Sequence, residues 1–249
     1  MPISIATRLG LRPNQEDRVI VIRQGGMVLL GIFDGHLGEE AAEACLKIAE
    51  STADLPSARR NKKKFLNKLV SAMCEATNGM RDGTTVSLAL ISEQSGHVSG
   101  AVIGDSPVFV RTSMRHIRMS PLHSVKRNGD ERDKARLRGG ILFYNEYNEP
   151  YIGPQGTSIG SAVTRGLGDL WMGDVLLREP EFFSFTVSSH EGFAFAASDG
   201  FIPDYAGDNF DITMVAEQIR RRDGDAEQVM RWREKYPMHD NASIALWVP

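Results

Sequence analysis

Four short apolar runs of this chain lie next to an acidic residue. The acid follows the run in three cases (residues 27–33, 99–104 and 193–198) and precedes it in the fourth (residues 242–248). The four acids are Asp34, Asp105, Asp199 and Asp240. If the runs are neighbouring strands, their ends place these carboxylates around one point. Clustered carboxylates repel each other unless a cation lies between them, so a metal site is the first hypothesis.

The most specific local element is Asp34-Gly35-His36. The acid follows a predicted strand, the glycine permits close backbone approach, and the imidazole titrates near neutral pH. This combination is typical of a catalytic unit, whereas an Asp-Gly pair alone indicates only a turn.

A second element reads Arg12-Pro-Asn-Gln-Glu16-Asp17-Arg18. Successive side chains of a strand point to opposite faces, so one of Glu16 and Asp17 can reach a metal or its waters while the other supports the surroundings. The planar guanidinium of Arg12 is suited to phosphate oxygens. The alternative interpretation is an ordinary exposed charged turn.

Composition narrows the classes of function. The chain has 249 residues, 41% apolar and 24% charged, which is ordinary for a folded domain with a sizeable core. A formal net charge of −3 gives no global basic field for nucleic acid or an anionic membrane. No apolar run approaches the ~18 residues of a spanning helix, and the N-terminus lacks a signal-peptide pattern. Cys45 and Cys74 are predicted to be small buried hydrophobes, so we expect an intracellular, cytoplasmic protein without disulfides, with the nucleus as the alternative location.

Short β-branched and aromatic segments between turn residues predict strands. They cover residues 19–23, 27–33, 84–91, 98–103, 108–112, 115–119, 182–187, 192–197 and 242–248. Close pairs such as Ile91 with Val98 and Arg111 with Ile117 are typical of hairpins, and therefore of mainly antiparallel sheets.

Helices are predicted by apolar residues three and four positions apart and by capping residues. They cover residues 38–51, 61–78, 129–137, 211–222 and 225–235, with Asp211 and Asp225 as expected N-caps. Helices grouped before and after runs of strands favour an α+β fold over an alternating doubly wound sheet. Residues 144–160 are predicted to be a surface loop. The basic runs 59–64 and 220–222 are interpreted as solvated helix faces, with a docking patch or import signal as the alternative.

Seven short motifs occur in order along the chain. They are Arg12…Glu16-Asp17, Phe33-Asp34-Gly35-His36, Gly83-Thr84-Thr85, Gly104-Asp105-Ser106, Thr164-Arg165-Gly166-Leu167-Gly168-Asp169, Ser198-Asp199-Gly200 and Asp240-Asn241. This series resembles the metal-dependent serine/threonine protein phosphatases of the PP2C (PPM) family over essentially the whole chain. The resemblance implies a single domain over residues 1–249, built as a four-layer α-β-β-α sandwich of two mainly antiparallel sheets flanked by helix pairs.

The resemblance also implies a ligand set. Asp34 resembles the carboxylate that bridges two metal ions, and Gly35 the residue whose carbonyl oxygen binds one of them. Asp199 and Asp240 match the remaining carboxylate ligands. Asp105, together with Asp199, matches the site of a third, weaker ion. All these donors are oxygens, which favour Mg²⁺ or Mn²⁺, and no Cys/His spacing suggests zinc.

Other matched residues would act on the substrate or on metal-bound water. Glu16 and Asp17 match acids that hold such waters and sometimes act as ligands. Arg12 matches the clamp on the substrate phosphate, and His36 the proposed general acid. With two ions about 4 Å apart, water attacks phosphorus in line without a covalent phosphoenzyme. The expected substrates are phosphorylated proteins, and a monomer is the default expectation.

Four positions depart from the family pattern. Leu37 stands where a second glycine usually follows the histidine, Pro107 replaces an arginine, Leu122 replaces an aspartate, and Thr164 replaces a serine. None of these changes removes a predicted ligand, but Pro107 and Leu122 put the support of the third-ion site in question. Residues 170–180 correspond to a short flap-like segment.

Two alternatives to an active protein phosphatase stay open. One is a pseudophosphatase, which would use the same fold as a binding or regulatory module. The other is a different metal-dependent phosphohydrolase, such as a small-molecule phosphatase or a nuclease. The chain has no basic, aromatic-interleaved surface pattern, which weighs against a nuclease.

Overall fold

The computed structural model describes residues 2–52, 54–188, 191–202 and 212–249. Its strands are β1 Ile3–Arg8, β2 Arg18–Gln24, β3 Met27–Phe33, β4 Gly35–His36, β5 Gly83–Thr84, β6 Val86–Ser92, β7 His97–Ile103, β8 Val108–Ser113, β9 His116–Met119, β10 Gly140–Tyr144, β11 Pro150–Pro154, β12 Leu167–Gly168, β13 Glu181–Thr186, β14 Ala194–Ala197 and β15 Ala242–Trp247. Its α-helices are α1 Glu40–Thr52, α2 Leu55–Ala58, α3 Lys62–Ala76, α4 Gly129–Leu137, α5 Ile212–Arg221 and α6 Ala226–Arg233. Two short 3-10 helices cover Leu170–Val175 and Asp199–Phe201.

Two five-stranded sheets form the centre of the molecule. One has the order β13-β7-β6-β3-β2 and the other the order β1-β15-β14-β8-β9. Neighbouring strands in both sheets pair antiparallel. The α+β class with mainly antiparallel sheets is therefore confirmed.

The apolar residues of β3 divide between two cores by their alternation along the strand. Leu29 and Phe33 pack in a cluster with residues of α1 and α3, whereas Leu30 and Ile32 join a cluster shared by the two sheets. A third cluster joins β14 and β15 to α5 and α6. These three clusters place α1 and α3 against one sheet, α5 and α6 against the other, and apolar side chains of both sheets between them.

A small three-stranded sheet, β12-β5-β4, lies where the first large sheet ends. Gly83 of β5 pairs with His36 on one side and with Gly168 on the other. Both flanking strands are antiparallel to β5, so β4 and β12 run in the same direction and end at the same edge.

Most predicted elements lie within one or two residues of the observed ones, and α4 matches its prediction at both ends. The predicted strand over residues 84–91 is interrupted, because Thr85 leaves the ladder. Its backbone N–H donates to the carbonyl oxygen of Asp34 (2.9 Å), and its Oγ1 accepts from the Asp34 N–H (3.2 Å). Asp225 caps α6 by accepting from the Gln228 N–H at 3.2 Å. The predicted cap Asp211 lies outside the described residues.

The prediction of a surface loop over residues 144–160 is wrong in part. Strand β11 pairs with β10 in an antiparallel hairpin, and Ile152 at its centre is fully buried. Proline at both ends of β11 and an internal glycine concealed the strand, but a two-stranded edge tolerates proline. Strand β1 and the short helix α2 were also not predicted.

Both cysteines are free: Cys45 is buried and Cys74 is partly buried. In the described part of the chain, no helix has the length and apolar character needed to cross a membrane.

Candidate active site

The four strand-end acids come from both large sheets. Asp34 and Asp105 follow β3 and β7, which end at the same edge of one sheet. Asp199 follows β14 and Asp240 precedes β15, at one edge of the other sheet. The Asp199 N–H points to Asp34 Oδ2 at 3.4 Å, so the two edges meet.

These carboxylates lie close enough together for the charge of one to affect the ionisation of another. Loss of hydration raises the pKa of Asp34 well above its ordinary value, and the charges of Asp17, Asp199, Asp105 and Asp240 raise it further. The pKa of Asp199 is raised for the same two reasons. Burial raises the pKa of Asp105 to about 6. Such a group of acids gains stability from a bound cation, because the cation offsets both the repulsion and the lost hydration.

Asp17 is the most buried acid of the group, only 4% exposed. Its Oδ2 accepts a 2.8 Å hydrogen bond from Ser198 Oγ, which in turn accepts from the Ser243 N–H at 2.9 Å. Its Oδ1 is buried and has no hydrogen-bond partner among the residues that the structure describes. Burial raises the pKa of Asp17 to about 6 in spite of the hydroxyl donors. An orphaned carboxylate oxygen beside Asp34 and Asp240 is suited to a cation or to a water that a cation holds.

No three His, Cys, Asp or Glu side chains in the described ranges already enclose a position for an ion. The fit to a metal therefore depends on three observations: an oxygen-only donor set, the mutual repulsion of the carboxylates, and the orphaned oxygen of Asp17.

Arg12 and Asp240 contact each other directly. The Arg12 Nη2 to Asp240 Oδ2 distance is 2.6 Å, and both side chains are partly exposed. Asp240 Oδ1 accepts from the Asn241 N–H at 2.8 Å. Arg12, the predicted phosphate clamp, thus contacts Asp240, a predicted metal ligand, and occupies one of its two carboxylate oxygens.

Asn241 fixes the loop that carries Arg12 and Glu16. Its side-chain Oδ1 accepts from the Glu16 N–H at 2.7 Å, and its Nδ2 donates to the carbonyl oxygens of Leu9 (2.8 Å) and Asn14 (3.0 Å). The amide is 3% exposed. Asn241 is part of the motif Asp240-Asn241, but the sequence pattern predicts no role for it.

Gly35 and Glu16 meet through their backbones. A side chain at Gly35 would lie 2.6 Å from the Glu16 carbonyl oxygen and 3.0 Å from that of Gly38. Only glycine permits this approach, so the Gly35 backbone and the Glu16 segment belong to the same site.

His36 is paired with Asp169, a residue that sequence reasoning missed as a functional partner. The distance from His36 Nε2 to Asp169 Oδ2 is 2.7 Å, and Asp169 is fully buried. Burial alone would lower the pKa of His36, but the hydrogen bond and charge of Asp169 outweigh it and raise the pKa. The protonated form that a general acid needs is therefore favoured.

Gly83 packs directly against this pair, which leaves no room for a side chain at position 83. A methyl group at Gly83 would overlap both Asp169 Oδ2 and His36 Nε2. The sequence feature that could have indicated Asp169 is the motif Gly166-Leu167-Gly168 directly before it, whose last two residues pair with β5.

The loop that carries Asp105 is held from two sides. The Gly104 N–H donates to His123 Nδ1 (3.1 Å), and the His123 N–H donates to the Gly104 carbonyl oxygen (2.9 Å). Ser106 Oγ donates to Asp34 Oδ2 at 3.2 Å and contacts Thr85 Oγ1 at 2.8 Å. The departures at positions 107 and 122 therefore leave the Asp105 loop anchored.

An open cleft of about 570 Å³ lies over this group. Its walls include three of the acids and several cationic or aromatic side chains: Arg12, Asp105, Asp199, Asp240, Lys126, Arg127, Tyr151, Tyr236 and His239. Tyr151 belongs to β11, so the segment predicted as a loop forms part of the cleft wall. A cleft lined by both carboxylates and cations suits a ligand that reaches a metal through its phosphate.

Comparison with known proteins gives consistent results. The family model for Protein phosphatase 2C matches residues 13–241. Mitochondrial protein phosphatase 1K of Xenopus laevis is 24% identical over 99% of this chain and 67% of its own length. Probable protein phosphatase 2C 7 of Oryza sativa subsp. japonica is 28% identical over 77% of this chain and 51% of its own length. The chain thus spans about half to two thirds of the length of these relatives.

Solved structures show the same fold. A sex-determining protein of Caenorhabditis elegans has a TM-score of 0.75 at 21% identity, covering 98% of this chain and 64% of that one. The serine-threonine phosphatase 2C of Toxoplasma gondii has a TM-score of 0.72 at 16% identity, covering 97% and 92%. With the family match over most of its length, this chain belongs to the protein phosphatase 2C family of serine/threonine phosphatases.

Proposed function

We propose that this protein hydrolyses phosphoserine and phosphothreonine in protein substrates, using water activated at a binuclear Mg²⁺ or Mn²⁺ centre. The observation that carries this proposal is the convergence of acids from both sheets on Asp34, where burial and the neighbouring charges raise the pKa values of Asp34 and Asp199. We take residues 1–249 as one domain, acting as a monomer inside the cell. Residues 170–180 would form its short flap-like segment.

The proposed metal-holding residues are those that the family resemblance indicates. Asp34 would bridge the two core ions, with the Gly35 carbonyl oxygen, Asp199 and Asp240 as further ligands. Glu16 and Asp17 would hold metal-bound water, and the orphaned oxygen of Asp17 supports this role. Asp105, with Asp199, would form the outer, weaker third site. When bound, the ions lower the pKa of the attacking water and neutralise charge on the phosphoryl group.

The chain's own residues position the substrate and supply a proton. Arg12, at the cleft rim, would hold two phosphate oxygens through its planar guanidinium. His36 would donate a proton to the serine or threonine oxygen as it leaves. Asp169 is a positioning residue, because its fully buried carboxylate orients the ring through Nε2 and favours its protonated form.

The contact between His36 Nε2 and Asp169 limits which ring nitrogen can deliver the proton. Asp169 occupies Nε2 in this structure, so the proton delivered to the leaving oxygen comes from Nδ1, or from Nε2 once the substrate displaces the carboxylate. In either case the Asp169 charge stabilises the protonated ring before transfer.

A direct test uses a phosphothreonine peptide with purified protein in Mn²⁺, in Mg²⁺ and with chelator. We expect turnover with either metal and none with chelator. Asp199→Asn should abolish turnover, and Asp133→Asn, at a surface residue of α4 that is 64% exposed, serves as the control. If folded, metal-saturated wild type is no faster than Asp199→Asn, the enzyme proposal fails and the pseudophosphatase alternative stands.

A further inference from the structure

Two exposed leucines lie at the same edge of the three-stranded sheet. Leu37 directly follows His36 at the end of β4, and Leu170 directly follows Asp169 just beyond β12. Strands β4 and β12 end at the same edge, and the His36–Asp169 contact joins the two ends. Leu37 and Leu170 therefore leave the sheet on either side of the proposed general acid.

Neither leucine serves the core. Leu37 is 68% exposed and Leu170 is 56% exposed. Isolated exposed leucines are common on protein surfaces. What distinguishes these two is that each directly follows a member of the His36–Asp169 pair.

Leu37 also has a backbone conformation that leucine rarely adopts. Its φ is 61°, in the left-handed region that favours glycine and asparagine. The positions around Leu37 are closely packed, because a side chain at Gly35 would meet the Glu16 backbone and a side chain at Gly38 would contact Asp82. Glycine would satisfy the turn at lower cost. A bulky, exposed side chain kept at a strained position next to a functional residue indicates a role outside folding.

The chemistry of the leaving group supplies that role. On the proposed function, His36 protonates the leaving oxygen, which belongs to the serine or threonine of the substrate. The peptide must therefore cross over His36, and residues next to the phosphorylated one pass within reach of the two side chains that flank it. A large apolar side chain there would cover surface that Leu37 and Leu170 now expose to water.

We propose that Leu37 and Leu170 form an apolar contact for a substrate residue beside the phosphorylated serine or threonine. The protein then prefers phosphopeptides with a large apolar residue at that position. This inference rests on the proposed function and adds a sequence preference to it.

The test compares phosphothreonine peptides that differ at one position. The residue directly before or directly after the phosphothreonine is either leucine or serine. Burial of about half of an apolar side chain supplies a preference of about five- to tenfold in kcat/KM at one of these places. The variant combining Leu37→Asn with Leu170→Ser should reduce the ratio to near one. Asparagine tolerates positive φ, so the change removes the apolar surface while keeping the turn.

Met114→Ala is the matched control. Met114 is 67% exposed and lies in the β8–β9 turn, at the far end of β8 from the acids, so its loss should leave the leucine preference intact. The inference is overturned if wild type shows no leucine preference at any place, or if the double variant keeps it. If no phosphopeptide is hydrolysed at all, the proposed function fails separately. Fluorescence anisotropy then measures binding of the same peptides. The proposed contact requires that wild type bind the leucine peptide more tightly than the serine peptide and that the double variant bind both equally.

Discussion

Glu131 is a buried acid whose removal should have a large and pH-dependent effect on stability. It is 2% exposed in α4 and receives two hydrogen bonds from Arg165, Nε to Oε2 at 2.8 Å and Nη2 to Oε1 at 2.9 Å. The residue before this arginine, Thr164, donates its N–H to the carbonyl oxygen of His123 at 2.8 Å. Since His123 anchors the Asp105 loop, this ion pair connects α4 to the candidate site.

The magnitude follows from the pKa of Glu131. The hydrogen bonds from Arg165, and to a lesser degree from Lys134, lower it from 4.5 to about 2. At about 1.4 kcal/mol per pH unit, the pair stabilises the folded state by about 2 to 3 kcal/mol, allowing for solvent screening on the exposed Lys134 side. Breaking a buried pair by removing one partner has a cost of the same size or larger, about 3 to 5 kcal/mol.

The perturbation is Glu131→Gln, which keeps the shape and removes the charge. At pH 7 we expect the free energy of unfolding to fall by about 3 kcal/mol, because Arg165, 12% exposed, loses the closer of its two carboxylate partners and keeps only Glu181 at 3.6 Å. The folded pKa of Glu131 is depressed, so its contribution is complete above about pH 4.5 and is lost as the pH falls toward about 2. The gap between wild type and variant should therefore narrow as the pH falls below 4.5.

Urea unfolding followed by tryptophan fluorescence measures this gap at a series of pH values. Asp133→Asn, on the exposed face of the same helix, is the control and should change the unfolding free energy by less than about 0.5 kcal/mol. Equal stability of wild type and Glu131→Gln at pH 7, or a gap that stays constant between pH 6 and pH 3, would refute the reasoning.

Three further predictions concern the site. Gly83→Ala should lower kcat by about 100-fold, because its methyl group displaces His36, and a wild-type rate in steady-state kinetics would contradict this. Arg12→Ala should raise KM for a phosphopeptide about tenfold, while unfolding shifts by less than about 1 kcal/mol because its pair with Asp240 is exposed. Asn241→Ala should cost about 2 to 3 kcal/mol in urea unfolding through three lost hydrogen bonds, and a change below about 1 kcal/mol would count against its anchoring role.

The elements that sequence predicted best are those with local signals. Helix α4 has local signals at both ends, because Asn128 caps its first turn, accepting from the Glu131 N–H at 3.2 Å, and Gly139 follows its end. Hairpin β10–β11 was missed because Pro150 and Pro154 are local signals against a strand. The burial of Ile152 that favours the hairpin comes from other parts of the fold.

The features of the candidate site likewise divide into those with a local sequence signal and those without one. The acids could be found because each lies beside an apolar run and in a motif. The pairing of His36 with Asp169 joins residues 133 positions apart, and that of Arg12 with Asp240 joins residues 228 apart. No local pattern specifies such contacts, because they depend on the pairing of strands that are distant in sequence: β5 pairs with both β4 and β12, and β1 pairs with β15.

The proposed activity depends on metal binding by the acids around Asp34. Calorimetric titration of Mn²⁺ into metal-free protein tests it most directly, with Asp34→Asn as the variant and Asp133→Asn as the control. Removing one charge from the crowded group relieves repulsion, so Asp34→Asn should fold. We predict that wild type and the control bind two ions, and that Asp34→Asn binds Mn²⁺ at least about 100-fold more weakly, since a bridging ligand contacts both ions. Equal affinity in wild type and Asp34→Asn would contradict the account.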